Sequence, residues 1–250
     1  MPSELWRFGK GYGRTYQRLL DDVLPMAKDR HLTAFWPQVA VDFRPEKHWL
    51  YVGRAVNRWG NKWGEPPSLG NGVVPCLQGI RDFSEELDAR FPLELSPLDW
   101  MDTRWKRGQF RATVRWLNAD DTTWHRGWSR GMAWSNLCKV APWDGGNPSD
   151  DLYSAQFPAC RELLRLEVEA LRPELVVVLT GKDWFWDFLD ERRRVSIGAR
   201  IQDASTDVVL DEFFGRPAVL APHPGQAHRA GLSPKALGEK IWNLVRSRYE

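Results

Sequence analysis

Two polar side chains stand at the ends of apolar runs, where their chemistry suits ligand binding. Asn136 closes the run of residues 132–135, and His223 follows the run of residues 218–222. A primary amide carries a donor and an acceptor in one plane, and burying it costs stability unless both are satisfied. Prolines on both sides of His223 direct its imidazole out of the strand end. Both residues are candidates for ligand contacts, and the alternatives are a structural amide and an ordinary histidine.

A glycine-bearing turn at residues 53–59 is the third candidate. Gly53 follows the apolar run of residues 49–52 and lets backbone N–H groups approach a ligand closely. Asn57 offers a second amide in this turn, and its alternative role is to cap the turn. The loop continues to residue 79 and is rich in Gly, Asn and Pro. A loop of that length inside a compact domain is usually functional.

Four apolar runs position these residues, and each ends in a polar or glycine-bearing turn. They cover residues 49–53, 132–136, 175–181 and 218–225. Continuous apolar runs of this length are typical of strands buried on both faces of a parallel sheet, and such sheets bind ligands at their carboxyl ends. Helical patterns, such as those at 158–171 and 234–248, alternate with the runs. This alternation predicts a three-layer α/β/α sandwich with a central, largely parallel four-stranded sheet.

Length, charge and cysteine content narrow the class of protein. At 250 residues the chain suits one domain, residues 1–250, and a net charge of +2 does not by itself indicate a nucleic-acid partner. Three widely spaced cysteines without a CxxC pair predict reduced thiols rather than a zinc site or a disulfide framework. Neither a secretory signal nor a run of 18 apolar residues is present. We expect a soluble, cytoplasmic monomer that does not bind membranes.

Tryptophan is the outlier of the composition, with 15 copies. A core seldom needs so many, because each buried indole N–H requires a partner. Residues 92–130 form a Trp/Arg-rich insertion in which indoles are interleaved with basic side chains, among them Arg126 and Arg130. This pattern favours a DNA-binding face, since basic groups hold phosphates while aromatic rings stack on bases. The alternatives are a bulky core and arginines that lie over buried indoles.

The order and spacing of these strand-end residues resemble the uracil-DNA glycosylase superfamily. In that family the loop after the first strand often reads Gly-x-Asp-Pro-Tyr and supplies the residue that positions the attacking water. Ala55 stands at the acidic position here, so the resemblance implies Asn57 as the replacement and Trp59 as the aromatic that stacks on the base. It also implies that Gly53, Arg54 and Ala55 lie against the base.

The other two motifs of the family correspond to Asn136 and His223. The family's asparagine reads the edge of the flipped base, and an amide suits uracil in one orientation and cytosine in the other. The family's His-Pro-Ser is His-Pro-Gly at residues 223–225, which keeps the histidine that donates to the departing base. The amides of Gly225 and Gln226 would then bind phosphate in place of the missing hydroxyl. With three cysteines, the chain does not match the branches that carry an iron–sulphur cluster.

The resemblance implies a DNA glycosylase that acts by base flipping. The enzyme kinks DNA, extrudes one nucleotide with Arg229 or Leu232 as the wedge, and hydrolyses the N-glycosidic bond to leave an abasic site. Asn57, Asp150 or Asp151 aligns the water, and neither a metal nor an organic cofactor is required.

The missing acid and the many indoles favour a larger base than uracil. A glucosylated hydroxymethylcytosine in phage DNA would suit aromatic platforms, and its removal would serve antiviral defence; otherwise the substrate is uracil in DNA repair. Two other classes stay open. One is a non-catalytic, Trp-rich module that binds DNA or carbohydrate. The other is a metal-dependent hydrolase that uses His223 and His228 with Asp150 or Asp151.

Overall fold

The computed structural model describes residues 8–28, 30–40, 42–55, 68–90, 108–118, 129 and 131–249. The chain divides into two compact units, each assembled from separated segments. The first unit comprises Met1–Pro37, Arg54–Leu93 and Ser135–Leu171, and the second comprises Gln38–Gly53, Glu94–Trp134 and Arg172–Glu250. The single domain of residues 1–250 stays a prediction.

The described residues contain helices and strands in alternation. The helices are α1 (Lys10–Val23), α2 (Val73–Arg90), α3 (Gln109–Asn118), α4 (Asp150–Leu171), α5 (Lys182–Phe185), α6 (Glu191–Arg200), α7 (Pro224–Arg229) and α8 (Pro234–Tyr249). The strands are β1 (Leu32–Ala34), β2 (Gln38–Val39), β3 (Trp49–Gly53), β4 (Ala133–Asn136), β5 (Val140–Pro142), β6 (Leu175–Leu179), β7 (Val209–Phe213) and β8 (Arg216–Ala221). None of the helices within the described ranges combines the length and the apolar character that a membrane crossing needs.

Six strands form one sheet in the order β2-β4-β3-β6-β8-β7. β6 is parallel to β3 on one side and to β8 on the other, whereas the edge strands β2 and β7 are antiparallel to their neighbours. The fold is therefore α/β with a mostly parallel sheet, as the apolar runs predict. β4 begins in the second unit and ends in the first, because the division falls between residues 134 and 135.

The predicted number of four strands in this sheet is wrong, because both edge strands lack a long apolar run. β2 has only two residues. β7 joins β8 through a hairpin whose loop is Phe214 and Gly215, with Phe213 paired to Arg216. The two loop residues have φ angles of 48° and 80°, as a two-residue turn with the twist of the strands requires. Turn geometry, rather than an apolar run, produces this edge.

The centre of the second unit is apolar. All five residues of β6 and the last four of β8 are buried, because aliphatic side chains run through both strands without interruption. Helices α3 and α8 pack against each other in the same unit. The indole of Trp116 lies so close to Gly238 that a Cβ there would be 2.3 Å from the ring. Position 238 therefore requires glycine.

The first unit is organised around the packing of α1 against α4. Helix α1 buries Tyr16, Leu19, Leu20 and Val23, which recur at three- and four-residue steps. Helix α4 begins at Asp150 and not at the predicted residue 158, so Pro158 lies inside it. Acidic residues in the first turn favour the earlier start, and the helix tolerates one missing backbone hydrogen bond. β1 and β5 form a separate antiparallel pair in this unit.

Candidate functional site

His223 lies at the carboxyl end of β8 and is the N-cap residue of α7. Its backbone is extended, with φ −62° and ψ 130°, as a residue before proline prefers, and Pro224 occupies the first turn of the helix. The imidazole Nδ1 accepts a hydrogen bond from the backbone N–H of Gly225 at 3.1 Å. The ring therefore performs the capping role that a serine or aspartate side chain usually has.

This hydrogen bond selects the tautomer of the neutral His223 ring. An Nδ1 atom that accepts a hydrogen bond carries no proton, so the neutral ring has its proton on Nε2. A Cβ at Gly225 would lie 3.2 Å from Nδ1, which is tighter than ordinary contact. Glycine at position 225 therefore leaves space for the His223 ring, which the backbone N–H of Gly225 orients. Nε2 is then the ring atom that can donate a hydrogen bond.

The amides predicted to bind phosphate already have acceptors within this turn. The N–H of Gly225 donates to the ring of His223, and the N–H of Gln226 donates to the His223 carbonyl at 2.8 Å. Phosphate binding by these amides stays a prediction, and it would require both hydrogen bonds to open. Arg229 is exposed on α7.

The neighbouring strand β6 ends beside β8. The N–H of Gly181 donates to the carbonyl of Ala221 at 3.0 Å, and Gly181 has a φ of 85° that favours glycine. Lys182 follows at once, with its ammonium 4.8 Å from the ring centre of Trp186. Lys182 is not among the predicted site residues, although its place directly after a strand-end glycine is a signal for one.

Asn136 closes β4 and is 1% exposed. Its amide nitrogen Nδ2 is buried and has no hydrogen-bond partner among the residues that the structure describes. A buried amide donor without a partner costs about 1–3 kcal/mol. The predicted base-reading side chain is therefore held in a position that is unfavourable unless something else accepts from it.

A buried ion pair lies next to Asn136 in the first unit. The Lys139 ammonium is 2.9 Å from Oε1 and 3.0 Å from Oε2 of Glu167, and both side chains are fully buried. The same ammonium donates to the backbone carbonyl of Asn136 at 2.7 Å and to Oγ of Ser135 at 2.6 Å. The Ser135 hydroxyl in turn donates to Oε2 of Glu167 at 2.5 Å.

Helix α1 contributes the remaining member of this network. The Tyr12 hydroxyl donates to Oε1 of Glu167 at 2.7 Å. Burial, followed by the nearby Glu167 carboxylate, raises the pKa of Tyr12 well above its usual value. The tyrosine therefore stays protonated and remains a donor. We call the set of Tyr12, Ser135, Lys139 and Glu167 the buried polar network.

Helix α4 also holds the residues that follow Asn136. The side-chain amide of Gln156 accepts from the N–H of Val140 at 3.0 Å and donates to its carbonyl at 2.9 Å. The N–H of Lys139 donates to Sγ of Cys160 at 3.4 Å. Both side chains are buried, so the segment after β4 is fixed by a helix from another part of the chain.

The residues after β3 are described only in part. Gly53 is buried at the strand end, and Arg54 and Ala55 are half-buried. The carbonyl of Arg54 accepts from the N–H of Cys138 at 2.8 Å, which joins this turn to the segment after Asn136 within the first unit. Four predicted site residues lie outside the described part of the chain: Asn57, Trp59, Arg126 and Arg130.

Asp151 is exposed at the start of α4. Its carboxylate is 3.1 Å from the Arg30 guanidinium and accepts a hydrogen bond from the Ser149 hydroxyl. These contacts, that from Ser149 first, hold the pKa of Asp151 well below its usual range. A carboxylate so engaged is a weak base, and its role in aligning water stays a prediction.

The three cysteines are buried free thiols. Burial raises the pKa of Cys76 and Cys160 to about 12 and that of Cys138 well above its usual value. They are therefore protonated and poor nucleophiles at neutral pH. Within the described ranges, no three His, Cys, Asp or Glu side chains are grouped as a metal site would require.

The site residues thus fall into two groups, one in each unit. Gly53, His223, Gly225, Gln226 and Arg229 belong to the second unit, and Arg54, Ala55, Asn136 and Asp151 belong to the first. Comparison with protein-family models gave no match, and neither did comparison with curated proteins.

Proposed function

We propose that this protein is a DNA glycosylase, which extrudes one nucleotide and hydrolyses its N-glycosidic bond to leave an abasic site. The observation that carries the proposal is the buried amide of Asn136, whose Nδ2 has no acceptor among the described residues. A ligand with an acceptor at this point would remove the cost of the orphaned donor. The edge of a nucleobase offers an acceptor beside a donor in one plane, which matches a primary amide.

The tautomer of His223 suits the step in which the base departs. With Nδ1 engaged by Gly225, the ring has an Nε2–H that would donate to the base as negative charge develops on it. A positioned donor of this kind lowers a barrier by about 3 kcal/mol in a site without water. Because the donor is neutral, it stabilises the departing base without transferring a proton to it.

The proposed hydrolysis requires no group beyond water and the protein. Water adds to C1′ of the sugar, the bond between C1′ and the base nitrogen breaks, and its electron pair leaves with the base. The base takes up a proton, and the proton that water loses passes to solvent. Asn57 is the proposed water-positioning residue and Trp59 the proposed stacking residue, with Asp151 as the alternative for the water.

The fold that this proposal implies is a three-layer sandwich like that of uracil-DNA glycosylases. The mostly parallel sheet supports it, because strands β3 and β8 flank β6 and end on the same side of the sheet. Loops at such ends bind ligands in many α/β proteins. Arg126 and Arg130 are the proposed contacts to DNA phosphates, and Arg229 or Leu232 is the proposed wedge. The proposed base is either a glucosylated hydroxymethylcytosine of phage DNA or uracil.

Incubation with duplexes that each carry one test base, followed by alkaline cleavage at abasic sites, tests the function. The panel comprises uracil, cytosine, hydroxymethylcytosine and its glucosylated form, in single and double strands. We expect strand cleavage for at least one of them. His223→Asn keeps a side chain that caps α7 but removes the Nε2 donor, and should slow base release by about 10²–10³-fold.

The same assay distinguishes the other classes of protein. A binding module would retain DNA in a gel-shift experiment while giving no abasic product at any protein concentration. A metal-dependent hydrolase would lose its activity in chelator, whereas a glycosylase of this design would keep it. Full activity in His223→Asn, with an unchanged melting temperature, would contradict the proposed role of the imidazole.

A further inference from the structure

We propose that Lys139 is a positioning residue, which aligns the base-reading amide of Asn136 through the backbone; this inference rests on the proposed function. The Lys139 ammonium lies 2.7 Å from the backbone carbonyl of Asn136, at the peptide that carries the amide. Its N–H donors all have acceptors within the protein, so none is left for a ligand. Its effect on a base must therefore pass through Asn136.

The ammonium of Lys139 has its three donors committed. They go to the Ser135 hydroxyl at 2.6 Å, to the Asn136 carbonyl at 2.7 Å and to Oε2 of Glu167 at 3.0 Å. A lysine has no further proton to offer from its side chain. This arrangement does not suit a nucleophile or a general base, although Ser135 and Lys139 lie within hydrogen-bond distance. It suits a side chain that holds Ser135, the Asn136 carbonyl and Glu167 in fixed positions.

The carboxylate at the other end of the pair is also saturated. Oε1 of Glu167 accepts from Tyr12 at 2.7 Å and lies 2.9 Å from the ammonium, while Oε2 accepts from Ser135 at 2.5 Å and from Lys139 at 3.0 Å. A fully satisfied buried network is rigid, and its charges cancel. Because an apolar replacement of a buried pair is often no less stable, stability alone does not account for it.

The backbone groups that follow Asn136 have hydrogen-bond partners, whereas its side-chain amide nitrogen has none among the described residues. Lys139 and Val140 have their backbone groups held by Phe35, Cys160 and Gln156. The backbone of this segment is held rigidly, while the buried Nδ2 donor of Asn136 has no acceptor among the described residues. A side chain that binds a ligand requires this combination of a fixed backbone and an available donor.

The decisive variant is Lys139→Met/Glu167→Leu, because it removes both charges and leaves neither buried alone. We expect base release to fall by about 10- to 100-fold, since small displacements of a reacting group have effects of this size. The discrimination between cytosine-type and uracil-type bases should fall as well. Leu163→Ala, a buried apolar truncation in the same helix, is the control and should leave both quantities unchanged at temperatures where it is folded.

A double-mutant cycle separates positioning from general weakening of the fold. When Asn136 is already Leu, the added Lys139→Met/Glu167→Leu pair should cause no further loss of base release, because the amide it aligns is absent. If the two losses multiply instead, Lys139 acts independently of Asn136 and the inference is overturned.

A spectroscopic readout does not depend on activity. The side-chain amide signals of Asn136, assigned by their disappearance in Asn136→Leu, should shift or broaden in Lys139→Met/Glu167→Leu and stay unchanged in Leu163→Ala. Unchanged signals in both variants would overturn the positioning role. If wild-type protein released no base from any duplex while the signals shifted as expected, the proposed function would fall and the alignment of Asn136 by Lys139 would stand.

Discussion

The strand ends that carry Asn136 and His223 are held by opposite means. His223 is oriented by its neighbours in sequence, since its ring accepts from an amide two residues later and the strand behind it is apolar. Asn136 is held by a buried ion pair, one partner of which, Glu167, lies in helix α4. A local cap therefore controls one side chain, and tertiary structure controls the other.

This difference determines how sensitive the position of each side chain is to substitutions elsewhere in the protein. A cap closes as soon as its own turn forms, so it does not depend on the rest of the unit. The buried polar network requires α1, α4 and the end of β4 to be in place together, and any single loss leaves a charge or a hydroxyl unmatched. Substitutions should therefore have larger effects around Asn136 than around His223.

The largest effect is expected for Lys139→Met. The free energy of unfolding should fall by about 3–5 kcal/mol, because Glu167 stays buried without its counter-charge. Urea unfolding followed by circular dichroism measures this change. Adding Glu167→Leu should recover part of the loss, since neither charge then remains, although the hydroxyls of Tyr12 and Ser135 lose their acceptor. A double variant as unstable as the single one would show that the network contributes more than the cancellation of the two buried charges.

Leu179→Ala is the matched change in the apolar core of the second unit, where the side chain is fully buried in β6. It should lower the free energy of unfolding by about 2–5 kcal/mol through lost burial and a cavity. Adding Val177→Ala, on the same face of the strand, should deepen the loss. If Val177→Ala instead restored stability, the apolar core would respond to a second substitution as the buried ion pair does, and the contrast between them would be wrong.

Tyr12→Phe should lower the free energy of unfolding by about 1.5–3 kcal/mol at pH 7, because Glu167 loses a hydrogen bond to its charge. The raised pKa of Tyr12 in the folded state has a further consequence. Its contribution is complete below the unfolded pKa of about 10 and is lost as pH rises above that value.

Urea unfolding from pH 7 to pH 11 measures this dependence. Wild-type protein should lose stability above pH 10, and Tyr12→Phe should lose less. The variant will keep part of the slope, because burial also raises the pKa of Tyr16 and Tyr51. An identical slope in both proteins would show that Tyr12 ionises as readily when folded as when unfolded.

Asn136→Leu is expected to stabilise the protein while it slows the proposed base release by about 10²–10³-fold. Removing a buried donor without a partner should raise the free energy of unfolding by about 1–3 kcal/mol. Thermal unfolding and the abasic-site assay measure the two changes on the same preparation. A loss of stability would indicate a structural amide whose partner the variant has removed.

Gly225→Ala should give the smallest change in stability, less than about 1 kcal/mol, because alanine suits a helix better than glycine. Its Cβ would lie 3.2 Å from Nδ1 of His223 and displace the ring slightly. Base release should fall by about 10-fold. Gly70→Ala is the control, since its Cβ would make an ordinary contact of 3.5 Å with Ser68. Equal activity in both variants would show that the ring position is not critical.

The apolar elements could be predicted from the sequence, and the pairing of the edge strands could not. β3, β6 and β8 coincide with continuous apolar runs, and the stripe of α1 follows its helical spacing. β2 and β7 lie at the sheet edges, where turn geometry and neighbours decide pairing. Pro158 marks a helix start by the usual rule, but tertiary packing extends α4 through it.

The site shows the same division. The extended backbone at His223 could be predicted from the proline that follows it, whereas the hydrogen bond from Gly225 to its ring could not. The network around Asn136 could not, since Glu167 and Tyr12 are 155 positions apart in the chain. A signal was present in retrospect: Lys139 interrupts an apolar stretch, and Glu167 lies among the buried positions of α4. Charged side chains are so rarely fully buried that the usual expectation is a solvated surface.

The burial of all three thiols makes the chain convenient for site-directed labelling. Because Cys76, Cys138 and Cys160 are protonated and inaccessible in the folded protein, a maleimide dye should react with an introduced cysteine and leave the native ones untouched. Position 195 on α6, where the valine is 73% exposed, is a suitable place for one. A dye there would test by fluorescence whether the protein binds DNA, without any removal of native cysteines.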